Sequence, residues 1–146
     1  MLYEGGIRVP FIVNQPGMVP IQTLDNLIYF PDMMPTLAAL AKGTKHLPKQ
    51  INGINILPLF YGKQVDTDNR LLYWEFPGKQ RAARKGDWKC VTIHPNQPLE
   101  LYNLKEDPEE TNNLAQKYPR RVKEFDEEMQ RMHIPTPNWP QPGEQF

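Results

Sequence analysis

Proline constrains this chain more than any other residue. Sixteen of its 146 positions are proline, about twice the usual share. Each proline fixes its own φ and removes a backbone donor. The chain must therefore contain many turns and irregular connections and few long helices. Hydrophobic residues make up 39%, which is thin for a compact domain. The length still suits one domain, or part of one, with a real core.

The regular elements lie between these breaks. Val9-Pro10-Phe11-Ile12-Val13 follows Gly5-Gly6 and reads as a buried strand, ended by Gln15-Pro16-Gly17. Asp32 is a natural N-cap, with Pro35 in the first turn. Met33, Leu37, Leu40 and Ala41 then share a face, and Gly43 stands at the C′ position. Leu71–Phe76, Trp88–Ile93 and Leu99–Tyr102 read as strands, the first ending at Pro77-Gly78. Asp107-Pro108-Glu109-Glu110 has the form of a helix start, with cap, proline and capping-box glutamate. A last helix spans about Pro119 to Met132, where Val122, Phe125, Met129 and Met132 make one apolar stripe suited to core packing. The tail from Ile134 holds four prolines in its 13 residues and must be extended. Strand, helix, a β-rich stretch and then helices make an α+β order. One strand and one helix in residues 1–43 cannot close a core, which suggests an incomplete chain.

Charge and chemistry exclude several functions. Seventeen basic and seventeen acidic side chains balance to zero, which opposes nucleic-acid binding. Residues 79–89 carry five basic groups and residues 100–110 carry five acidic ones. These segments could pair across strands, but a solvated face is the favoured reading. The single cysteine, Cys90, rules out an internal disulfide and reads as an inert core thiol. No apolar run is long enough for a transmembrane helix, and no export signal is visible. His46, His94 and His133 have no metal-pair spacing, and no catalytic motif is present. No catalytic residue and no metal ligand is assigned.

Five segments in order resemble the closing portion of the type I sulfatases, the arylsulfatase-like family of the alkaline phosphatase superfamily. They are Tyr3-Glu4-Gly5-Gly6-Ile7-Arg8-Val9-Pro10; Asp32-Met33-Met34-Pro35-Thr36-Leu37; Asn52-Gly53-Ile54-Asn55-Ile56-Leu57-Pro58-Leu59; Arg84-Lys85-Gly86-Asp87-Trp88-Lys89; and Glu100-Leu101-Tyr102-Asn103-Leu104 with Asp107-Pro108-Glu109-Glu110-Thr111-Asn112-Asn113-Leu114. In the third, Asn52 and Asn55 replace the family's usual Asp and Ser. The resemblance implies a fragment of an alkaline-phosphatase-like α/β domain over residues 1–62. A C-terminal subdomain over 63–146 would pack a four-stranded antiparallel sheet on a helix. It also implies a sulfuric ester hydrolase with a formylglycine nucleophile and calcium, usually secreted, periplasmic or lysosomal. The formylglycine motif, C/S-x-P-x-R, is absent here, and Cys90 cannot supply it. The family's sulfate-binding lysine would fall just upstream of Met1.

The chain alone is therefore expected to be inactive and to need a missing N-terminal catalytic region as partner. In the whole enzyme its loop ends would help select a sulfated small molecule or glycan. Glu75 suits sugar hydroxyls, and Arg81 or His94 suits an anionic group; each could equally be a solvated loop residue. Glu4 and Arg8 are expected to fix a turn through an ion pair, and Gly5 and Gly6 to allow close backbone approach. Trp74, Trp88 and Trp139 are expected to pack rather than bind sugar. The alternative function is a stand-alone structural or carbohydrate-binding module. The faces of Val9–Val13 and Met33–Ala41, if uncovered, would favour self-association.

Overall fold

The computed structural model describes residues 1–76, 80–94, 96–138, 140 and 144–145. The expected Pro77-Gly78 turn, with Lys79 and Trp139, lies outside the described residues. Packing divides the chain into two units, Met1–Val9 with Arg70–Phe146, and Pro10–Asn69. The boundary expected near residue 62 follows the family's domains, whereas these units follow contacts in this chain.

The first unit is built on four strands, β1 (Leu71–Phe76), β2 (Gln80–Lys85), β3 (Trp88–Thr92) and β4 (Glu100–Asn103). They form an antiparallel sheet in sequence order. β2 and β3 meet through the two-residue loop Gly86-Asp87, since Lys85 pairs with Trp88. Gly86 has a φ of +56°, the backbone for which short hairpins favour glycine. Side chains alternate between faces along each strand. On one face Ala83, Cys90 and Leu101 meet Phe125 and Met129. The latter two come from the long helix Pro119–Met132, whose limits match the predicted apolar stripe. On the other face Ala82, Val91 and Tyr102 are covered by Leu2, Tyr3 and Ile7. The last two flank or belong to a single turn of helix, α1 (Glu4–Ile7). The outer edge of β4 is closed locally: Leu101 N–H donates to Asn113 Oδ1 at 3.1 Å, and Leu114 N–H to Leu101 O at 2.8 Å. Such cover removes an open strand edge.

The expected helix at Asp107-Pro108-Glu109-Glu110 does not form. The Asp107 carboxylate accepts from the backbone N–H groups of Thr111 and Asn112, at 3.1 and 2.8 Å. Glu110 takes a φ of +56°, which a helix cannot contain. Its carboxylate turns inward to a buried lysine, and that tertiary contact overrides the local signal.

The second unit has little regular structure. Its longest helix is α2 (Met33–Leu40), followed by the short α3 (Leu57–Phe60), so the helix at Pro119–Met132 is α4. Asp32 precedes α2 but does not cap it through its side chain. Instead its buried carboxylate accepts from Tyr29 N–H at 3.0 Å and Ile54 N–H at 2.9 Å. At the other end Gly43 N–H donates to Ala38 O at 2.7 Å and Lys42 N–H to Ala39 O at 3.1 Å, a Schellman closure. The positive φ falls on Lys42, not Gly43.

Two further expectations are corrected here. Residues 9–13 form no strand, and Ile12 is 85% exposed. No strand among the described residues pairs with this segment. Helix α2 buries Pro35 and Thr36, whereas Leu37 and Leu40, on the expected inner face, are more than half exposed. Thr36 is held inward because its hydroxyl accepts from Ile56 N–H at 3.0 Å. Among the described residues no helix is long and apolar enough to cross a membrane.

Candidate functional site

The register places Glu75 opposite Arg81, and Arg81 opposite Thr92. The strands thus carry the first two predicted residues to one end of the sheet, on the face that packs against α4. His94 follows β3 at the same end. It is exposed, and its Nδ1 accepts from Asn96 N–H at 3.3 Å. Thr92 holds the local turn by donating its hydroxyl to His94 O at 2.8 Å.

Glu75 is the centre of a hydrogen-bonded group. Its Oε1 accepts from the Tyr73 hydroxyl and lies 2.5 Å from His133 Nδ1. His133 Nε2 lies 2.7 Å from Glu144 Oε1. Burial acts to lower the His133 pKa, but the bonds to Glu75 and Glu144, with their negative charges, outweigh it and raise the pKa overall. Burial, and next the bond to Glu75, push Tyr73 upward, which keeps it a donor. Arg81 reaches Asp126 of α4 at 3.8 Å. Glu75 Oε2 has no hydrogen-bond partner among the described residues. His133 was missed as a member of this group. Only its sequence position, directly after the apolar stripe of α4, could have placed it near the sheet.

A second polar group sits on the opposite face and is buried. Lys89 is 0% exposed, and its Nζ lies 3.0 Å from Glu4 Oε1 and 2.9 Å from Glu110 Oε1. Arg84 lies 3.3 Å from Glu4 Oε2, and Glu4 N–H donates to Glu110 Oε2 at 2.5 Å. Two cations and two carboxylates therefore neutralise one another away from water, as buried charges require. The expected Glu4–Arg8 pairing is replaced by these contacts, since Arg8 is exposed. The expectation of wholly solvated charge segments fails at Lys89 and Glu110. Beside them the Tyr3 and Tyr102 hydroxyls both donate to Glu100 Oε2, at 2.6 and 2.9 Å.

Neither polar group forms a reaction centre. Cys90 is fully buried, and that burial pushes its thiol up to about 12, far from a nucleophilic thiolate. Among the described residues no group of three His, Cys, Asp or Glu side chains is arranged to hold a metal ion. The residues here fit neither a formylglycine nor a calcium site, and no step is derived through either.

A four-stranded meander, packed on one face by a C-terminal helix and presenting polar residues at its end, defines an α+β subdomain of the sulfatase kind. Residues 1–134 match the family described as "N-sulphoglucosamine sulphohydrolase, C-terminal", and the chain belongs to that family. It is 31% identical over 134 residues to a sulfatase of Formosa agariphila, a match covering 80% of this chain and 24% of that protein. It is 30% identical over 140 residues to arylsulfatase K of Gallus gallus, covering 86% and 25%. A solved Bacteroides thetaiotaomicron structure from the metabolism of multiple glycosaminoglycans is similar with a TM-score of 0.57. That match has 26% identity and covers 68% of this chain and 24% of the other. The chain thus spans about a quarter of the length of the curated relatives named here.

Proposed function

We propose that the chain acts as the C-terminal part of a sulfuric ester hydrolase for a sulfated glycan, shaping the substrate pocket while catalysing nothing alone. The observation that carries this is the meeting of Glu75, Arg81 and His94 at one sheet end. They supply a carboxylate oxygen open to a hydroxyl, a cation and an exposed imidazole. In the whole enzyme, formylglycine and calcium would be supplied by residues outside these 146. The missing catalytic region would also cover the exposed Phe11, Ile12, Leu37 and Leu40. Without it, those side chains would favour self-association, and a monomer by light scattering at high concentration would speak against that part.

The test joins this chain to the N-terminal region of a related sulfatase. The isolated chain should not hydrolyse a chromogenic aryl sulfate, with or without calcium. The joined enzyme should hydrolyse both the aryl sulfate and a sulfated disaccharide. His94→Ala and Arg81→Ala should raise KM for the disaccharide by about tenfold and leave aryl sulfate turnover unchanged. Calcium-dependent hydrolysis by the isolated chain would refute the proposal, as would equal loss on both substrates.

A further inference from the structure

We infer that the hairpin end of the sheet holds a saccharide subsite that takes one anionic sugar unit. Leu71, Lys85, Trp88 and Asn103 form one row across the four strands. That row is four residues along β1 from Glu75, about 13 Å at a strand's rise per residue. A depression of about 460 Å³ opens there, lined among others by Trp88, Asn103, Glu106, Asn112, Lys117 and Tyr118. This volume lies within the range of small-ligand sites.

The lining has the chemistry of a sugar's two aspects. Trp88 and Tyr118 form an aromatic wall, edge to face with centroids 5.3 Å apart. Such rings offer apolar surface to the C–H face of a pyranose. Asn103 uses its Oδ1 on Lys105 N–H, which leaves its amide NH₂ without a partner among the described residues. The exposed Asn112 side chain is likewise uncommitted among them. These two amides and the Glu106 carboxylate can accept from and donate to ring hydroxyls.

The same wall carries cations. Lys117 Nζ stands 5.4 Å from the Tyr118 centroid, and Arg121 Cζ stands 4.3 Å from that of Trp88. Neither makes an ion pair among the described residues, so both remain available to an anionic substituent. Lys85, paired with Trp88 on the neighbouring strand, adds a third positive charge. The lining Asp107 does not cancel them. Its carboxylate is occupied by the N–H groups of Thr111 and Asn112 and by the Thr111 hydroxyl. A chain of zero net charge is not built to hold a long polyanion, which leaves a single charged sugar as the fitting ligand. The choice of a sulfated unit rests on the function proposed above; the aromatic and amide lining stands without it.

The test is calorimetric titration of the full chain with a 6-O-sulfated chondroitin disaccharide at low salt, beside its desulfated form. The sulfated form should bind more tightly. Lys117→Ala and Asn112→Ala should each weaken binding by about tenfold, and His94→Ala should leave it unchanged. No binding by either disaccharide would overturn the inference, and so would equal binding of the two. Binding that falls with His94→Ala but survives Lys117→Ala would also overturn it, while supporting the substrate contact proposed above. Binding at Lys117 in a chain whose joined enzyme never hydrolyses sulfate would sink the function and leave the subsite.

Discussion

Lys89 Nζ meets Glu4 Oε1 at 3.0 Å across 85 positions of sequence. This contact fastens the first nine residues to the third strand, in a space where Lys89 has no access to water. Removing one partner of a buried pair leaves the other charges uncompensated, a cost of about 3–5 kcal/mol. Lys89→Met should therefore lower the urea midpoint sharply. Glu4→Gln, Lys89→Met and Glu110→Gln combined should recover part of that loss, since no charge is then stranded. Lys123→Ala should change nothing measurable, because its pair with Glu127 is largely exposed. Equal midpoints for Lys89→Met and Lys123→Ala would show that the buried network is not formed in solution.

Gly53 sits against the chain that leads into α2. A Cβ added there would lie 1.9 Å from Pro31 O and 2.8 Å from Asp32 N. Both obstacles are backbone, and the adjoining Ile54 N–H is committed to Asp32. Gly53→Ala should destabilise the second unit by about 3 kcal/mol or more, read as faster hydrogen exchange in residues 26–67. Gly43→Ala is the control, because its nearest obstacle is 3.8 Å away. A silent Gly53→Ala would mean that the segment has room to shift.

What the sequence revealed follows from how local each signal was. β1, β3, β4 and α4 were legible because alternation and the Val122–Phe125–Met129 stripe are written within single segments. The helix expected at Asp107 was not, because the buried Lys89 draws Glu110 inward and no local pattern announces that partner. The strand expected at residues 9–13 was misread for a related reason. An apolar run indicates burial only if a partner exists to cover it. At the candidate site Glu75 and Arg81 stood on readable strands, and their opposition follows from hairpin register. His133 and Glu144 join them through the return of α4 across the sheet, a long-range contact that residue spacing does not encode.

The reading of Cys90 as a core thiol has a direct chemical check. Burial is the main cause that pushes its thiol up to about 12, so thiolate is scarce at pH 8 and the sulfur is shielded as well. A thiol reagent such as Ellman's should label the native chain very slowly and label it fully in urea. Rapid labelling of the native chain would show that the α4 face of the sheet opens readily.

His133 offers a stability signature against pH. Its raised pKa means that the folded chain holds the proton more tightly than the unfolded chain, whose histidine titrates near 6.5. The associated stabilisation is fully present below that value and is lost as pH rises through the elevated folded pKa. At lower pH still, protonation of Glu75 and Glu144 would weaken the same contacts. Urea midpoints of the native chain should therefore fall between about pH 6.5 and pH 8. His133→Gln should be less stable at the acid end of that window and should flatten the slope. The difference between the two proteins should shrink as pH rises, because deprotonation removes from the native chain what the substitution has already removed. A constant difference across the window would show that His133 contributes packing alone and that its proton is not held by the two glutamates.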